Sequence, residues 1–324
     1  MRIVAIGLAL AAAGSACAAP VTPQFHLIPG SVPPDKGPDG NSIFLDAPEG
    51  LILVDTGRHP EHAAKLLDYA RQRGRPIAAI LNTHWHLDHT TGNHDIRQGH
   101  PGAQVYATTA IEGALVGFLN RNRGEADRAL DDPKTSPERK AQILRGRSVI
   151  DNPDRLRATK PVLRSGRMKI AGRTLDVRVA PFAVTEADLW FYDREARLAV
   201  VGDLVVGIVP FMDTACPDGW AKALDEVAKV PFTTLIPGHG EAMSRSDFLQ
   251  WRAAYTNLLA CARSPADKAQ CVAGWNRDAA KFIDDGHKAY VVEALNYYID
   301  TRLRSTPEEQ QRYCKPLKAP AKST

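Results

Sequence analysis

Three histidines and one aspartate fall within six residues at His84, His86, Asp88 and His89, in the spacing H-x-H-x-D-H. Imidazole nitrogens and carboxylate oxygens are the ligands that divalent ions such as zinc commonly take in proteins. An apolar run from 77 to 81 precedes the cluster and predicts a buried strand. The cluster is therefore predicted to lie where a strand ends, which is where chemistry gathers in layered α/β folds.

Three further polar groups follow apolar runs that predict strands. Asp55 begins an Asp-Thr-Gly turn, Asp203 completes a Gly-Asp pair, and His239 lies in Pro-Gly-His-Gly. We expect Asp203 to end its strand and His239 to follow its own. Any one of these short motifs is weak evidence, but four strand ends with metal-binding side chains, in this order, form a specific set.

The ordered set resembles the metallo-β-lactamase fold superfamily, over about residues 25 to 245. The resemblance implies an α/β fold, a four-layer αββα sandwich with a dinuclear metal site. The expected cofactor is zinc, as one or two ions, with iron or manganese as possible replacements.

The resemblance also implies a role for each matching residue. His84 and His86 would bind the first metal ion, while Asp88 and His89 would bind the second together with His239. Asp203 would bridge the two ions. Asp88 could in addition act in catalysis, by steering a water molecule or carrying a proton. Asp55 would lie behind the site and orient a metal-binding histidine.

One position departs from the family pattern. The family places a third histidine on the first metal, in a G-H-T-x-G-D-like turn, and the matching turn from 183 to 188 has Val184 there. Because valine cannot ligate, the first ion would bind weakly or with water as a ligand, or only the second ion would be retained, or Glu186 would supply an oxygen. A further alternative is that the chain is an inactive relative of the family. The six other metal-binding positions all carry ligand residues, which argues against this alternative.

The resemblance implies a hydrolase in which metal-bound hydroxide attacks an ester, lactone, thioester or amide carbonyl of a small molecule. Asp203 and His239 resemble the glyoxalase II and lactonase-type members, since β-lactamases of this fold generally lack an aspartate at the bridging position. Two alternatives remain. One is a mononuclear iron oxidoreductase of the sulfur dioxygenase type, against which Val184 weighs. The other is a catalytically weak protein that binds a metal or a partner.

Composition excludes some classes of partner. The 324 residues carry a net charge of +4, and 24% of them are charged with acids and bases interspersed. Such a surface gives no sign of a nucleic-acid site. The oligomeric state stays open.

The first 18 residues resemble an export signal. Arg2 precedes an apolar run from 3 to 13, and Ala16-Cys17-Ala18 forms a cleavage site, so the mature chain is predicted to begin at residue 19 in the periplasm or outside the cell. Cys17 leaves a lipoprotein alternative, although Gly14 stands where a lipobox needs a large aliphatic residue. No other apolar stretch is long enough to span a bilayer.

Four cysteines remain after removal of this segment: Cys216, Cys261, Cys271 and Cys314. An even number in an exported chain predicts two disulfides. Three pairings are possible from the sequence. We favour Cys261–Cys271, which closes a short loop and leaves Cys216 to pair with Cys314, over the alternative of four free thiols.

The remaining pattern predicts a main domain over 19–245 with an insertion at about 108–166 and a helical extension over 246–324. The insertion is highly charged and interrupted by prolines. We expect short helices at about 110–121 and 137–147 within it, and a position over the metal site.

Overall fold

The computed structural model describes residues 25–32 and 37–316. The predicted export signal lies outside the described residues. Within them the chain forms two six-stranded sheets that face each other, with helices packed on both outer faces. The predicted αββα sandwich is therefore confirmed.

The first sheet contains strands in chain order: β1 (Phe25–Ile28), β2 (Ser42–Ala47), β3 (Gly50–Val54), β4 (Ile77–Leu81), β5 (Gln104–Ala107) and β6 (Lys160–Pro161). β2 and β3 form the predicted antiparallel hairpin. β3, β4 and β5 run parallel. Because parallel strands end at the same edge, the segments that follow β3 and β4 emerge side by side.

The second sheet contains β7 (Gly166–Ile170), β8 (Arg173–Pro181), β9 (Ala187–Asp193), β10 (Leu198–Val206), β11 (Thr234–His239) and β12 (Met243–Ser244), in the order β12-β11-β10-β9-β8-β7. β10 and β11 pair in parallel at the centre, and the other pairs are antiparallel.

The helices are α1 (Pro60–Gln72), α2 (Leu87–Thr90), α3 (Asn93–Gly99), α4 (Ala110–Val116), α5 (Phe118–Asp131), α6 (Pro137–Ile150), α7 (Pro217–Ala228), α8 (Arg245–Ala262), α9 (Lys268–Asp278), α10 (Lys288–Tyr298) and α11 (Pro307–Gln311). Short 3-10 turns cover Pro153–Arg155 and Ala280–Phe282, and α10 continues into a π-helical segment over Ile299–Leu303.

Apolar side chains fill three layers of this sandwich. Alternate residues of β3 point to opposite faces, so Ile52 packs between the sheets and Leu53 packs beneath the helices α1 and α3. On the other side, Trp220 of α7 and Trp251 of α8 lie fully buried against the second sheet. Burial of one such side chain stabilises the fold by about 1.5–3 kcal/mol, so these layers hold the strand ends in place.

Two expectations about strand ends are wrong. Asp203 does not end β10, because this strand continues to Val206, and its register with β11 shifts on both sides of Gly202. The irregularity locally disrupts the pairing between Gly202 and Val206 and bends the strand, and Gly202 adopts a φ of 53° there. His239 does not follow β11 but is the last residue of that strand.

The insertion forms the helices α4, α5 and α6. The helix predicted at 110–121 divides at Gly117 into α4 and α5, and the helix predicted at 137–147 extends to Ile150 as α6. Its apolar residues Ile111, Ala114 and Val149 pack against Trp85, with Leu87 at the edge of the same cluster. Both Trp85 and Leu87 lie within the H-x-H-x-D-H stretch. The insertion therefore packs against the segment that carries the metal-binding side chains, and its position over the metal site stays a prediction.

The C-terminal extension packs against the second sheet through α8, α9 and α10. The Cys261–Cys271 disulfide lies within it, and Cys216–Cys314 joins it to the main domain, so the predicted pairing is confirmed. No helix in the described ranges is long and apolar enough to cross a membrane.

Removing the Cys216–Cys314 disulfide by a double alanine substitution is expected to lower the free energy of unfolding by roughly 2–4 kcal/mol, because the bond restricts the unfolded chain. Cys261 and Cys271 provide a matched control. Their bond spans 10 residues against 98, so its removal should cost about 2 kcal/mol less in the chain-entropy estimate. Urea denaturation measures both. Equal losses would show that loop length does not set the effect.

Candidate metal centre

Six side chains that the sequence singled out meet at one edge of the sandwich. They form two groups, and within each the potential ligand atoms lie within 4.8 Å of one another: His84, His86 and Asp203 in the first, and Asp88, His89 and His239 in the second. We call these the first and second half-sites.

Asp203 lies between the half-sites. Its Oδ2 is 3.7 Å from His84 Nε2, and its Oδ1 is 3.2 Å from His89 Nε2 and 3.5 Å from His239 Nε2. One carboxylate therefore faces both groups, which is the geometry that a bridging ligand needs. The position of this side chain depends on the bend in β10.

Asp55 holds the H-x-H-x-D-H stretch in place through hydrogen bonds. Its carboxylate accepts hydrogen bonds from the Thr83 amide at 2.8 Å and the Thr83 hydroxyl at 2.7 Å. It also accepts from His89 Nδ1 at 2.8 Å, which leaves His89 Nε2 to face the centre. Asp55 has a φ of 55°, a conformation that costs a non-glycine residue of order 1 kcal/mol and persists only where the surroundings enforce it.

The ring of His89 is completely buried against Gly40. A Cβ atom at position 40 would lie 2.3 Å from the His89 ring, so no larger residue fits without moving the ligand. The Gly40 amide also donates to the Asp88 carbonyl oxygen at 2.9 Å. The loop before β2 therefore holds the second half-site from behind.

Thr214 orients His86. The Thr214 hydroxyl donates to the Val184 carbonyl oxygen at 2.8 Å and accepts from His86 Nε2 at 2.8 Å. Because Nε2 is occupied, the Nδ1 atom of His86 is the one free to ligate. No sequence pattern pointed to Thr214, which is 128 residues from His86 along the chain.

The turn that carries Val184 keeps its shape without the histidine. The Asp188 carboxylate accepts hydrogen bonds from the Val184 amide, the Thr185 amide and the Thr185 hydroxyl at 2.8–3.1 Å. Val184 itself is buried among apolar residues. Glu186 is not part of either half-site, so the geometry does not support its expected alternative role as a substitute ligand. Its carboxylate instead lines a small pocket beside Thr214.

The donor atoms fit a divalent ion. His84 Nε2 and Asp203 Oδ1 are buried and have no hydrogen-bond partner among the described residues, although buried polar atoms seldom lack one. Both belong to the half-sites. Imidazole nitrogen and carboxylate oxygen together suit zinc, and also iron or manganese.

Burial lowers the pKa of His84 well below its usual value, and the charges of His89 and His86 add to this effect. Burial also lowers the pKa of His86. Both rings are therefore neutral near pH 7, which is the form that binds a metal. The first half-site needs no proton loss before an ion enters.

His89 differs. Burial alone would lower its pKa, but the carboxylates of Asp203, Asp55 and Asp88 outweigh burial and raise the pKa well above the usual value. The same proximity holds the pKa of Asp203 low: burial would raise it, but His89, His239 and His84 oppose burial. Without a metal, the second half-site therefore holds a proton on His89.

Zinc loading is expected to release this proton. Because the pKa of His89 is raised, its protonated form competes with the metal at neutral pH, and the zinc Kd should weaken about tenfold for each pH unit below that pKa. Calorimetric titration of chelator-treated protein in buffers of different protonation enthalpy measures the release. Asp55→Asn removes one of the charges that raise the pKa of His89 and should reduce the number of protons released on zinc binding. Loading without proton release at pH 7 would contradict this account.

Arg58 lies at the protein surface beside Asp88 of the second half-site, and we call the surface next to these two side chains the mouth. Arg58 Nη2 lies 3.7 Å from Asp88 Oδ1, and its side chain is 29% exposed. Tyr290 of α10 is 41% exposed, and burial together with the charges of Asp213, Glu293 and Asp88 raises its pKa. The sequence pattern singled out neither residue, although the charged Arg58 directly follows the Asp-Thr-Gly turn.

Other histidines lie outside the half-sites. His94, which could have faced the pocket, lies within 3.2 Å of Gln98 on the surface of α3. His62 contacts the Ser42 hydroxyl at 2.8 Å, and His59 contacts Asp39 at 2.8 Å. These contacts support the loop behind the centre.

Comparison with known proteins agrees with this arrangement. A family model described as the metallo-beta-lactamase superfamily matches residues 36–239. Among solved structures, a metallo-beta-lactamase family protein from Thermus thermophilus superposes with a TM-score of 0.56 at 18% identity, over 89% of this chain and 97% of that one. A metallo-beta-lactamase from Hirschia baltica gives 0.50 at 18% identity, over 72% and 92%. At such identities the likeness shows the fold alone.

Two curated relatives match shorter segments. A linear primary-alkylsulfatase from a Pseudomonas species is 34% identical over 87 residues, which are 23% of this chain and 16% of that protein. A hydroxyacylglutathione hydrolase from Gloeobacter violaceus is 36% identical over 80 residues, 24% of this chain and 30% of the relative. The matches thus span less than a third of either relative.

Proposed function

This chain belongs to the metallo-beta-lactamase superfamily, and we propose that it is an exported metal-dependent hydrolase of an ester, lactone, thioester or amide. The observation that carries the proposal is the convergence of His84, His86 and Asp203 with Asp88, His89 and His239 in two adjacent half-sites. Most members of the superfamily are metal-dependent hydrolases, and both curated relatives carry hydrolase-type names.

We assign the secure ion to the second half-site, with Asp88, His89 and His239 as ligands and Asp203 as the shared one. A bound divalent ion supplies a Lewis acid for the carbonyl and a water molecule whose pKa is near 7. The first half-site has three ligands without the family's third histidine. We therefore propose a mononuclear enzyme, or one with a weakly held second ion, with zinc as the metal.

Asp88 suits the catalytic role that we propose for it. Burial would raise the pKa of Asp88, but the charges of His89, His239 and Arg58 hold it well below the usual value. The carboxylate is therefore ionised at neutral pH. Its Oδ2 lies 3.2 Å from His239 Nε2, and its Oδ1 lies 3.7 Å from Arg58 Nη2, where the ionised carboxylate can accept a hydrogen bond from an attacking water and orient it.

An oxidising compartment fits the two disulfides. With the signal-like segment at the N-terminus, they support a location in the periplasm or outside the cell. Mass spectrometry of the mature protein tests this: a chain that begins at Ala19 is expected, and an intact first segment would argue against export.

A panel of ester, lactone, thioester, amide and β-lactam substrates, assayed with and without chelator, tests the hydrolase. We expect turnover of at least one class, its loss with chelator, and its return on addition of zinc. Turnover that chelator does not affect would overturn the metal-dependent mechanism. No turnover on the whole panel would instead support a metal- or partner-binding protein.

A further inference from the structure

Arg58 is held in place by its neighbours. Its amide donates to Asp39 Oδ1 at 2.6 Å, and its Nε donates to the Pro38 carbonyl oxygen at 3.2 Å. Gly37 lies against the guanidinium, since a Cβ atom there would be 3.0 Å from Arg58 Nε. From the insertion, Arg145 Nε donates to the Arg58 carbonyl oxygen at 3.2 Å. Backbone and side chain are thus both fixed.

The terminal nitrogens Nη1 and Nη2 of Arg58 make no hydrogen bond to the described residues. Arg58 Nη2 is 3.7 Å from Asp88 Oδ1, which is an ion pair but longer than a hydrogen bond. Among the described residues, no other group accepts from the Nη atoms. Four N–H groups therefore remain available, and at 29% exposure the side chain is accessible to a solute at the mouth.

Neutralising Asp88 does not explain this arrangement. Asp88 directs Oδ2 towards His239 in the second half-site, where a divalent ion would already balance its charge. A cation beside a divalent ion is repelled, yet Pro38, Asp39 and Gly37 keep Arg58 there. A negatively charged group that entered the mouth would be attracted by both Arg58 and the divalent ion.

We propose that Arg58 binds an oxyanion group of the substrate, with a carboxylate as the best match, while the scissile carbonyl lies at the metal centre. The planar guanidinium offers two parallel N–H groups, which suit a carboxylate in a bidentate arrangement. Arg58 lies 3.7 Å from Asp88, a member of the second half-site, so a short spacer would join the two groups of the substrate. This inference rests on the proposed hydrolase.

Two nitrophenyl esters of similar length test it: 4-nitrophenyl hemiglutarate, which carries a free carboxylate, and 4-nitrophenyl valerate, which does not. Arg58→Met should lower kcat/KM for the hemiglutarate by about 10–100-fold, mainly through KM, because charge-assisted hydrogen bonds are lost. The loss for the valerate should be smaller, because Arg58 acts on this ester only through its ion pair with Asp88, so the ratio of kcat/KM between the hemiglutarate and the valerate should fall. Arg58→Lys keeps the charge without the fork and should fall between.

Arg155→Met is the matched control, since Arg155 is a partly buried arginine of the insertion with no ion pair to either half-site. It should leave the ratio between the two esters unchanged. An equal loss on both esters with Arg58→Met, or the same ratio change with Arg155→Met, would overturn the proposal. If Arg58→Met does not fold, Arg58→Lys decides, because an unchanged ratio there excludes recognition by the fork.

A binding experiment separates this inference from the proposed function. Glutarate and butyrate are titrated calorimetrically into zinc-loaded protein, and the second carboxylate of glutarate should give tighter binding that Arg58→Met removes. This result would support Arg58 even if neither ester were hydrolysed, in which case only the proposed reaction would fail. Equal binding of the two acids, or no effect of Arg58→Met, would overturn the inference.

Discussion

Replacing His239 by alanine is expected to abolish tight metal binding, whereas replacing His84 by alanine should leave about one equivalent of zinc in place. His239 Nε2 is 3.2 Å from Asp88 Oδ2 and 3.3 Å from His89 Nε2, so its loss removes a ligand from the more complete group. His84 belongs to the half-site that Val184 leaves one ligand short. The two histidines are both buried, so burial does not distinguish them.

Metal content after dialysis, measured by mass spectrometry, gives the first comparison, and kcat/KM gives the second. The activity of His239→Ala should fall by at least about 10³-fold, since a bound metal contributes several kcal/mol to the transition state. His84→Ala should retain most of its activity. His94→Ala, a surface histidine, controls for loss of an imidazole. Loss of all metal from both variants would show that the half-sites fill only together.

Val184→His is expected to raise the tightly bound zinc from about one to about two equivalents. Asp188 accepts from the amides at 184 and 185 and so holds the turn, and Thr214 links the carbonyl oxygen of residue 184 to His86 of the first half-site. Affinity at the first half-site should increase more than about 100-fold, since even residues that merely support a ligand are worth 10–100-fold.

Val184→Leu is the control, because it adds volume at the same buried position without adding a ligand. Overpacking of this kind costs about 1–3 kcal/mol of stability, and the leucine variant measures that cost separately. Zinc titration against a competing chromophoric chelator gives both affinities. A single equivalent in Val184→His, together with a native fold, would mean that the valine is not what limits the first half-site.

The sequence predicted those parts of the centre that local pattern determines. The apolar run from 77 to 81 coincides with β4, because five consecutive residues there form a central, buried strand. The H-x-H-x-D-H spacing then places its side chains within a few residues of that strand. The two short helices α2 and α3 were not predicted, since the four residues of α2 and the seven of α3 are too few to show an apolar periodicity.

The sequence did not predict features that depend on contacts between residues far apart along the chain. All nine residues of β10 are buried, and pairing with β11 carries this strand past Asp203, but no local pattern reveals the shift in register. Thr214 and Arg58 reach the centre only after the sheets have packed. The assignment of metal to the six side chains stays a prediction, as do the boundaries of the domains.

The two sheets contribute different ligands, which links metal choice to folding. Asp88 and His89 follow a strand of the first sheet, while Asp203 and His239 belong to the second, so an ion held by all four joins the sheets. Such an ion stabilises the folded chain by about 2.7 kcal/mol at a concentration one hundred times its Kd. Neither sheet alone presents the full set. Removal of the ion should therefore weaken the packing of the two sheets against each other as well as the activity.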